Sequence, residues 1–264
     1  MDTAGVLACL TPIWQVKPET ASRVRGRIER VLNAAKAERL RTGENPAAWR
    51  GHLDATLPKP SKLSRRHHAA LPYVDIREFM ADLRARPALA AVALELTVLT
   101  AARTGEILNA QWKEFDLEAG VWTIPAERMK ARREHRVALS NRAMAIVNGL
   151  WTSRSSDFVF PGQTAGKPLS STAMLRLLER MGRRGAITSH GFRSSFSDWA
   201  SEVSPYSSEL RETALAHTIA NKAEAAYRRG DALEKRRTMM EAWAQWCEPQ
   251  VANVVAFVKP IATA

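Results

Sequence analysis

The feature that most constrains the fold of this chain is a basic, proline-rich stretch near residue 60. From Leu53 to Asp75 the chain reads LDATLPKPSKLSRRHHAALPYVD, with three prolines and no apolar periodicity. Because proline fixes φ and lacks a backbone N–H, this stretch disfavours both a continuous helix and a central strand. The sequence therefore predicts a helical domain over residues 1–57, a linker over 58–72, a larger domain over 73–250 and a tail over 251–264.

The charge of the chain is large and unevenly distributed. Its 264 residues include 39 Lys and Arg against 27 Asp and Glu, a formal net charge of +12. Residues 1–69 hold 13 of the basic and 6 of the acidic residues, so the shorter segment is the more basic one. Such an excess favours a polyanionic partner, a nucleic acid ahead of an anionic membrane, with a surplus of solvated surface cations as the alternative.

Composition excludes several classes of protein. A chain with 45% hydrophobic and 25% charged residues has ordinary globular composition, which argues against disorder, collagen and fibres. No apolar run is long enough to cross a membrane, and the N-terminus lacks the basic and apolar regions of a signal peptide. Cys9 and Cys247 are too few for a disulfide framework or a cysteine-based zinc site. We therefore expect a reduced, cytoplasmic protein.

Motifs for nucleotide-driven and metal-dependent chemistry are absent from the sequence. There is no glycine-rich phosphate loop ending in Lys-Ser or Lys-Thr, no G-x-G-x-x-G, no H-E-x-x-H and no G-x-S-x-G. The pair His67 and His68 has no acidic or cysteine neighbours that would complete a metal site. The sequence therefore predicts neither a cofactor nor a metal ion.

The basic N-terminal segment has the pattern of an amphipathic helix. Apolar residues recur at the spacing i, i+4, i+7, i+8 and i+11, which is one helix face, at Val24, Ile28, Val31, Leu32 and Ala35. A stripe of arginines lies beside that face, at Arg23, Arg27 and Arg30. The stripe predicts contacts with nucleic-acid phosphates, and a solvated polar flank explains it equally well.

The larger segment is mostly helical with one β-rich interruption. Helical composition and period recur at Asp75–Arg86, Ala90–Thr100, Ser140–Trp151, Ser171–Arg184, Gly191–Glu202, Ser208–Leu215, Lys222–Arg228 and Leu233–Trp246. Between them, VWTI and HRVAL are typical of strands, and they are bounded by Gly120 and the charged loop Ala126–Glu134. The sequence thus predicts a mainly α (α+β) fold with a small antiparallel sheet.

Six cationic, acid–base or nucleophilic residues stand out from this background. They are Arg103 after an apolar helix, Lys130 in the loop between the β pieces, His190 and Arg193 in H-G-F-R, His217 in A-L-A-H, and Tyr227 in A-A-Y-R-R-G. The spacing of His190 and Arg193 predicts that they share one face of a helix start. Each residue alone has an ordinary structural explanation, such as an ion pair between Arg103 and Glu106.

The order of these six residues resembles that of the tyrosine recombinases, or phage integrases. Surrounding segments such as KPETASRVRGRIERVL, LTAARTGEIL, WTIPAERMKARREHRVALS, HGFRSSFSDWA and EAAYRRGDALEKRR resemble the integrases of P4-like prophages and genomic islands. The resemblance runs from about Leu10 to Cys247. It implies a helical, partial core-binding domain, then a tyrosine-recombinase catalytic domain, and site-specific recombination of a mobile genetic element.

The resemblance implies covalent catalysis by a tyrosine and charge stabilisation by two arginines. The Tyr227 hydroxyl would attack a DNA phosphodiester and form a 3′-phosphotyrosine bond, which conserves the bond energy without ATP. The phosphorane formed in this attack carries negative charge on its non-bridging oxygens. Arg103 and Arg193 would stabilise that charge, because rigid guanidinium forks match two oxygens better than ammonium groups do.

The resemblance also implies roles for four further residues. Lys130 would protonate the leaving 5′-oxygen as a general acid, and His190 would assist as an acid or base. His217 would donate a hydrogen bond to the scissile phosphate. Glu106 would support the architecture around the first arginine, although a surface ion pair explains this residue equally well.

Double-stranded DNA carrying attachment sites is the partner that the resemblance implies, bound by a homotetramer whose subunits can be monomeric when free. The arginines expected on the DNA backbone are Arg23, Arg27, Arg30, Arg65, Arg66, Arg132, Arg133, Arg136, Arg228 and Arg229. For each of them, solvated surface charge is the alternative. The protein is expected in the bacterial cytoplasm, associated with the nucleoid when it is bound to DNA.

The sequence departs from the family at its N-terminus. Full-length integrases of this type carry an arm-binding domain and a complete core-binding domain, whereas this chain starts at MDTAGVLACLTPIW, inside the core-binding domain. We expect an N-terminal truncation, either an expressed fragment or the remnant of a decayed element. Two alternatives to an active recombinase follow: a DNA-binding remnant without catalysis, and a relaxing activity like that of type IB topoisomerases.

Overall fold

The computed structural model describes residues 1–59, 69–217 and 230–249. The chain divides into two compact units, Met1–Arg66 and His67–Ala264. Residues 60–68 of the predicted linker, the predicted helix Lys222–Arg228 and the predicted tail 251–264 lie outside the described residues. Among the described helices, none is both long and apolar enough to span a membrane.

The first unit contains two helices, α1 (Thr3–Trp14) and α2 (Pro18–Ala37), followed by a 3₁₀ turn at Leu53–Ala55. Helix α1 begins where the Asp2 carboxylate accepts the N–H of Gly5 at 2.9 Å. Helix α2 begins with proline at its first position, where the missing N–H costs nothing. The buried side chains of the unit are Val6, Leu10, Trp14, Ala21, Ala47, Leu53 and Leu57. The sequence pattern does not predict helix α1, because Pro12 interrupts it.

The apolar face of α2 differs from the predicted face at Val31. Val24, Ile28 and Leu32 pack against the core of the unit, but Val31 is 67% exposed. Consecutive residues point about 100° apart on a helix, so Val31 lies beyond the edge of the face that Leu32 occupies. The predicted arginine stripe, Arg23, Arg27 and Arg30, lies on the outer part of the helix, and all three arginines are exposed.

The second unit is mainly helical, which confirms the predicted fold class. The helices among its described residues are α3 (Ile76–Arg84), α4 (Leu89–Thr100), α5 (Thr104–Leu108), α6 (Asn141–Thr152), α7 (Ala173–Arg180), α8 (Phe192–Glu202), α9 (Ser208–Ala214) and α10 (Leu233–Trp246). Short 3₁₀ turns lie at Tyr73–Asp75, Trp112–Glu114 and Ala126–Arg128. Helix α7 is shorter than predicted because Gly182, at φ +69°, follows its end in the left-handed region. The sequence does not predict helix α5, since five residues are too few to show a period.

A three-stranded antiparallel sheet interrupts the helices, as predicted. The strands β1 (Phe115–Asp116), β2 (Val121–Ile124) and β3 (His135–Ala138) are joined in the order β1-β2-β3. Trp122 faces Val137 on β3, and its ring stacks on Phe115 of β1 at 5.4 Å. The β2–β3 pairing ends with Ile124 opposite His135, so residues 125–134 form the loop that carries Lys130.

Helix α4 lies at the centre of the second unit and is buried on nearly all sides. Its residues from Ala93 to Thr100 are all buried, which fits a sequence without a polar face. The one carboxylate among them, Glu95, accepts hydrogen bonds from Arg84 and Arg142 at 2.7 and 2.8 Å, so its burial is compensated. Trp243 of α10 donates its indole N–H to the carbonyl of Val98 at 2.8 Å. These contacts fix the position of the C-terminal end of α4.

Gly191, which precedes α8, is packed directly against the backbone of residues 69 and 70. A Cβ atom at this position would lie 2.9 Å from the Cα of Ala70 and nearer still to the carbonyl oxygen of Ala69. The amide of Thr188 donates to the same Ala69 carbonyl at 2.9 Å, so this segment cannot withdraw without losing a hydrogen bond. Only glycine therefore fits between the start of α8 and residues 69–70.

We predict that Gly191→Ala destabilises the protein by about 1–3 kcal/mol, the usual range for an overpacked site. Urea unfolding monitored by tryptophan fluorescence measures this change. Gly149→Ala is the matched control, because Gly149 lies inside α6 and a methyl group added there would have no neighbouring atom within 4 Å. That substitution should raise stability by about 0.5–1 kcal/mol through helix propensity. Equal effects of the two substitutions would contradict the packing argument.

Candidate active site

A cleft of about 810 Å³ in the second unit brings together five of the six predicted catalytic residues. The side chains that line it are Arg103, Lys130, Ala131, His190, Arg193, Glu212, Ala216 and His217. The sixth, Tyr227, lies outside the described residues, as do Arg65, Arg66, Arg228 and Arg229. A second depression of about 650 Å³, beside Gly120 and α10, contains none of the predicted catalytic residues.

Arg103 is held at the start of α5 by Glu106. The Glu106 carboxylate accepts the backbone N–H of Arg103 at 2.8 Å and its guanidinium at 2.7 Å. The side chain of Glu106 is only 6% exposed, whereas that of Arg103 is 23% exposed. Glu106 therefore fixes both the backbone and the side chain of Arg103, and leaves part of the guanidinium facing the cleft.

Arg193 is the second residue of α8 and is buried. Its guanidinium donates to the carbonyl of Ala101 and, at 2.6 Å, to the carbonyl of Leu215. Burial, together with the nearby charge of Arg103, lowers the pKa of Arg193 to about 10. Arg193 therefore stays charged at neutral pH, in a position that two backbone acceptors determine.

Helix ends in the left-handed conformation supply acceptors for both arginines. Ala101 follows α4 with φ +49°, and Ala216 follows α9 with φ +48°. The Ala101 carbonyl accepts from Arg193, and the Ala216 carbonyl accepts from Arg103 at 3.4 Å. Carbonyls at helix C-termini carry the negative end of the helix dipole, so they favour a cation. Left-handed alanine is strained, and this strain is local to the site.

His217 lies between a carboxylate and Arg193. Its Nδ1 is 2.7 Å from Glu212, and its Nε2 is 3.3 Å from the Arg193 guanidinium. Because arginine can only donate, Nε2 accepts here, and Nδ1 carries the proton that is donated to Glu212. Burial opposes ionisation of Glu212, but His217 and Arg211 outweigh it and lower its pKa. The sequence analysis did not select Glu212; its place five residues before the histidine, in α9, was the available signal.

His190 and Lys130 approach the cleft from non-helical segments. Helix α8 begins at Phe192 with Gly191 as its cap, so His190 precedes the helix instead of sharing its first turn with Arg193 as predicted. The turn that carries His190 is closed by a hydrogen bond from the Gly191 amide to the Thr188 carbonyl at 2.9 Å. Lys130 is exposed in the β2–β3 loop. The cleft thus combines two anchored arginines with an exposed lysine.

Three of the predicted DNA-contact arginines of the second unit are among the described residues, and all three are exposed. Arg132 and Arg133 are exposed in the β2–β3 loop, and Arg136 is exposed on β3, where it contacts Asp231 at 3.4 Å. In the first unit, Arg23 forms an ion pair with Glu19 at 2.7 Å. Exposure is compatible with phosphate contacts and with simple solvation. Among the described residues, no group of three or more His, Cys, Asp and Glu is arranged to hold a metal ion.

His135, on β3, belongs to the basic run beside Lys130 for which the sequence predicts contacts with the DNA backbone, and it is not among the residues that line the cleft. Burial lowers its pKa to about 4, and the charges of Arg236, Arg193 and Arg103 act in the same direction. The imidazole is therefore neutral at pH 7, and the positive charges of Arg103 and Arg193 contribute to keeping it neutral. Sequence alone shows only a histidine in a basic run, and its burial depends on the packing of β3 against other elements.

Comparison with known proteins assigns the chain to a family. The model of the phage integrase family matches residues 71–231, and that of the phage integrase central domain matches residues 1–52. Prophage integrase IntZ of Escherichia coli (strain K12) is 38% identical over 243 residues, covering 90% of this chain and 58% of that protein. The integrase of Enterobacteria phage P4 is 31% identical over 263 residues, again with 90% and 58% coverage.

Solved structures share the fold. A lambda integrase dimer bound to a COC′ core site has a TM-score of 0.58 at 19% identity, covering 88% of this chain and 80% of that chain. A lambda integrase tetramer bound to a Holliday junction has a TM-score of 0.59 at 17% identity, covering 85% and 64%. The fold is thus the one found in tyrosine recombinases. The chain belongs to the phage integrase family, and it spans about 58% of the length of the two relatives named above.

We predict that His135 makes the stability of the protein pH-dependent between about pH 6.5 and 4. The folded-state pKa of about 4 lies below the ordinary value of 6.5, so the unfolded chain binds more protons in this window. Stability therefore falls as the pH is lowered, by on the order of 2 kcal/mol at pH 4.5. His135→Gln removes this component. Urea unfolding of both proteins at pH 4.5 and 7 measures it, and an unchanged pH dependence in the variant would contradict the assignment.

Proposed function

We propose that this chain is the catalytic portion, with part of the DNA clamp, of a site-specific tyrosine recombinase that acts on double-stranded DNA. The observation that carries the proposal is the convergence of two charged guanidinium groups, Arg103 and Arg193, with Lys130, His190 and His217 on one cleft. This constellation suits a phosphodiester, whose charge grows on its non-bridging oxygens as a nucleophile attacks. The family assignment supports the same reaction.

In the proposed reaction, the Tyr227 hydroxyl oxygen attacks the scissile phosphorus and the bond to the 5′-oxygen breaks. A phenol has a pKa of about 10, so the hydroxyl gives up its proton during the attack. Arg103 and Arg193 bind the non-bridging oxygens, and their fixed positions mean that little reorganisation is needed as charge develops. The product is a 3′-phosphotyrosine bond, which a 5′-hydroxyl later attacks to rejoin the strands.

Proton transfer in this reaction is assigned to the lysine and the histidines. Lys130 protonates the leaving 5′-oxygen, and His190 assists as an acid or base. In the free protein the Nε2 of His217 accepts from Arg193, so it has no proton to donate to a phosphate. When a phosphate engages Arg193, Nε2 takes up a proton from solvent and becomes a donor to the phosphate, and Glu212 at Nδ1 stabilises the resulting imidazolium.

We assign the remaining parts of the chain by the same proposal. Residues 1–57 act as part of the core-binding clamp, 58–72 as the linker, 73–250 as the catalytic domain and 251–264 as a tail. The arginines that contact the DNA backbone in this proposal are Arg23, Arg27, Arg30, Arg65, Arg66, Arg132, Arg133, Arg136, Arg228 and Arg229. The substrate is an attachment site of a prophage or genomic island, a homotetramer forms on the DNA, and the protein works in the cytoplasm at the nucleoid.

A suicide DNA duplex, nicked next to the scissile phosphate, tests the nucleophile. The wild-type chain should become covalently attached to such DNA, and Tyr227→Phe should not, because the variant lacks the attacking oxygen. Denaturing gel electrophoresis with end-labelled DNA detects the adduct. Salt-dependent binding by the wild type without any adduct would overturn the proposal in favour of DNA binding without cleavage. Relaxation of supercoiled plasmid by the monomer would favour a topoisomerase-like activity.

Arg193→Ala should lower the rate of adduct formation about 10²–10³-fold, the usual effect of removing one charge-stabilising donor. The matched control is Arg154→Ala, since Arg154 is an exposed arginine that stacks on Trp151 and does not line the cleft. The control should cleave within a few-fold of wild type. Single-turnover cleavage rates at saturating protein separate this loss from weaker DNA binding, and equal rates for the two variants would contradict the role of Arg193.

A further inference from the structure

We propose that Arg128 is a positioning residue for Lys130, holding the β2–β3 loop against α5 so that the lysine meets the leaving oxygen. This inference rests on the function proposed above. Arg128 is the last residue of the 3₁₀ turn Ala126–Arg128 and lies two residues before Lys130. It does not line the cleft, so any effect on catalysis is transmitted through its contacts.

Arg128 is fixed by two contacts outside its own loop. Its guanidinium donates to the carboxylate of Glu114 and to the backbone carbonyl of Glu106 in α5. The side chain of Arg128 is 19% exposed and that of Glu114 only 3% exposed, so this ion pair is largely shielded from water. A shielded, doubly bonded guanidinium holds its loop far more firmly than an exposed surface pair does.

Glu114 depends on Arg128 for its charge compensation. One of its carboxylate oxygens accepts from Arg128 and, at 3.0 Å, from the indole N–H of the fully buried Trp122. The other oxygen is buried and has no hydrogen-bond partner among the described residues. Removal of Arg128 alone would therefore leave a buried, uncompensated carboxylate, which is strongly destabilising. A test variant therefore has to change Glu114 together with Arg128.

Glu106 connects Arg103, which lines the cleft, to Arg128, which does not. Its carboxylate holds Arg103, and its carbonyl accepts from Arg128. Met129, between Arg128 and Lys130, is buried in the core, so the chain is anchored up to the residue before the lysine. Arg128 and Met129 thus fix the position of the Lys130 backbone relative to Arg103, which binds the phosphate in the proposed reaction. A misplacement of about 1 Å can lower a rate on the order of 10²-fold.

A substrate with sulfur in place of the leaving 5′-oxygen distinguishes this role from a general structural one. In the proposed step the Tyr227 oxygen bonds to phosphorus, the bond to the 5′-oxygen breaks, and Lys130 gives that oxygen a proton. A thiol has a pKa of about 8.5, well below that of an alcohol, so sulfur leaves as a thiolate without a proton donor. A variant that has lost only proton donation should therefore cleave the sulfur substrate normally, whereas a variant with any other defect should remain slow.

The test compares adduct formation on oxygen and 5′-sulfur suicide duplexes. The main variant is Arg128→Met combined with Glu114→Gln, which removes the positioning contact without leaving a buried charge and retains an acceptor for Trp122. It should cleave the oxygen substrate about 10–100-fold more slowly than wild type, and the sulfur substrate within about 3-fold. Lys130→Ala should show the same pattern. Arg103→Ala should be slow on both substrates, because its role is charge stabilisation.

Two controls and three outcomes complete the experiment. Arg154→Met tests loss of an arginine away from the cleft, and thermal unfolding reports whether each variant is folded. A main variant that cleaves the oxygen substrate at the wild-type rate overturns the inference. So does an equal loss on both substrates, which means that Arg128 acts through Arg103 or through stability. If the wild-type chain forms no adduct with either duplex, the proposed function itself is refuted. This result is distinct from the two outcomes above, in which the wild type cleaves and only the role of Arg128 is overturned.

Discussion

Two positively charged guanidinium groups, those of Arg103 and Arg193, lie in one cleft and repel each other. The rest of the site depends on the contacts that compensate this repulsion. Burial and the neighbouring Arg103 lower the pKa of Arg193 to about 10, yet Arg193 remains charged at neutral pH. Glu106 compensates Arg103, while Arg193 is held by two backbone carbonyls. The free protein therefore has fewer negative charges than positive ones at the cleft. An anion that bridges both arginines relieves this repulsion, so the charges of the cleft favour the binding of an anion.

The carbonyls that hold the arginines lie at helix ends whose positions depend on the packing of the helices. Ala101 follows α4, a helix surrounded by the core, and Ala216 follows α9. Both alanines are left-handed, a conformation that persists only where surrounding structure determines it. Because Gly191 has no side chain, the backbone of residues 69 and 70 packs directly against the start of α8, the helix that carries Arg193. Core packing and the active-site geometry are therefore coupled through helix ends.

Sequence patterns predicted the features with local causes. The apolar run of α4 and the strands VWTI and HRVAL were found where expected, and the resemblance to the tyrosine recombinases selected five side chains that share a cleft. The errors have tertiary causes. Val31 lies just beyond the buried face of α2, and α5 is too short to show a period. Glu212 and His135 acquire their roles only from the groups packed against them, which a single sequence does not display.

The cations of the site differ in how firmly they are held, and the difference suits their proposed roles. In the proposed reaction the arginines bind the scissile phosphate, so their anchoring limits reorganisation. In the same proposal Lys130 has to reach the leaving oxygen of the DNA, and its exposure on a loop permits this. An exposed lysine has little positional accuracy of its own, so the accuracy has to come from its neighbours. Glu106 contacts both Arg103 and Arg128, so a displacement of α5 moves the phosphate-binding group and the base of the lysine loop together and preserves their spacing.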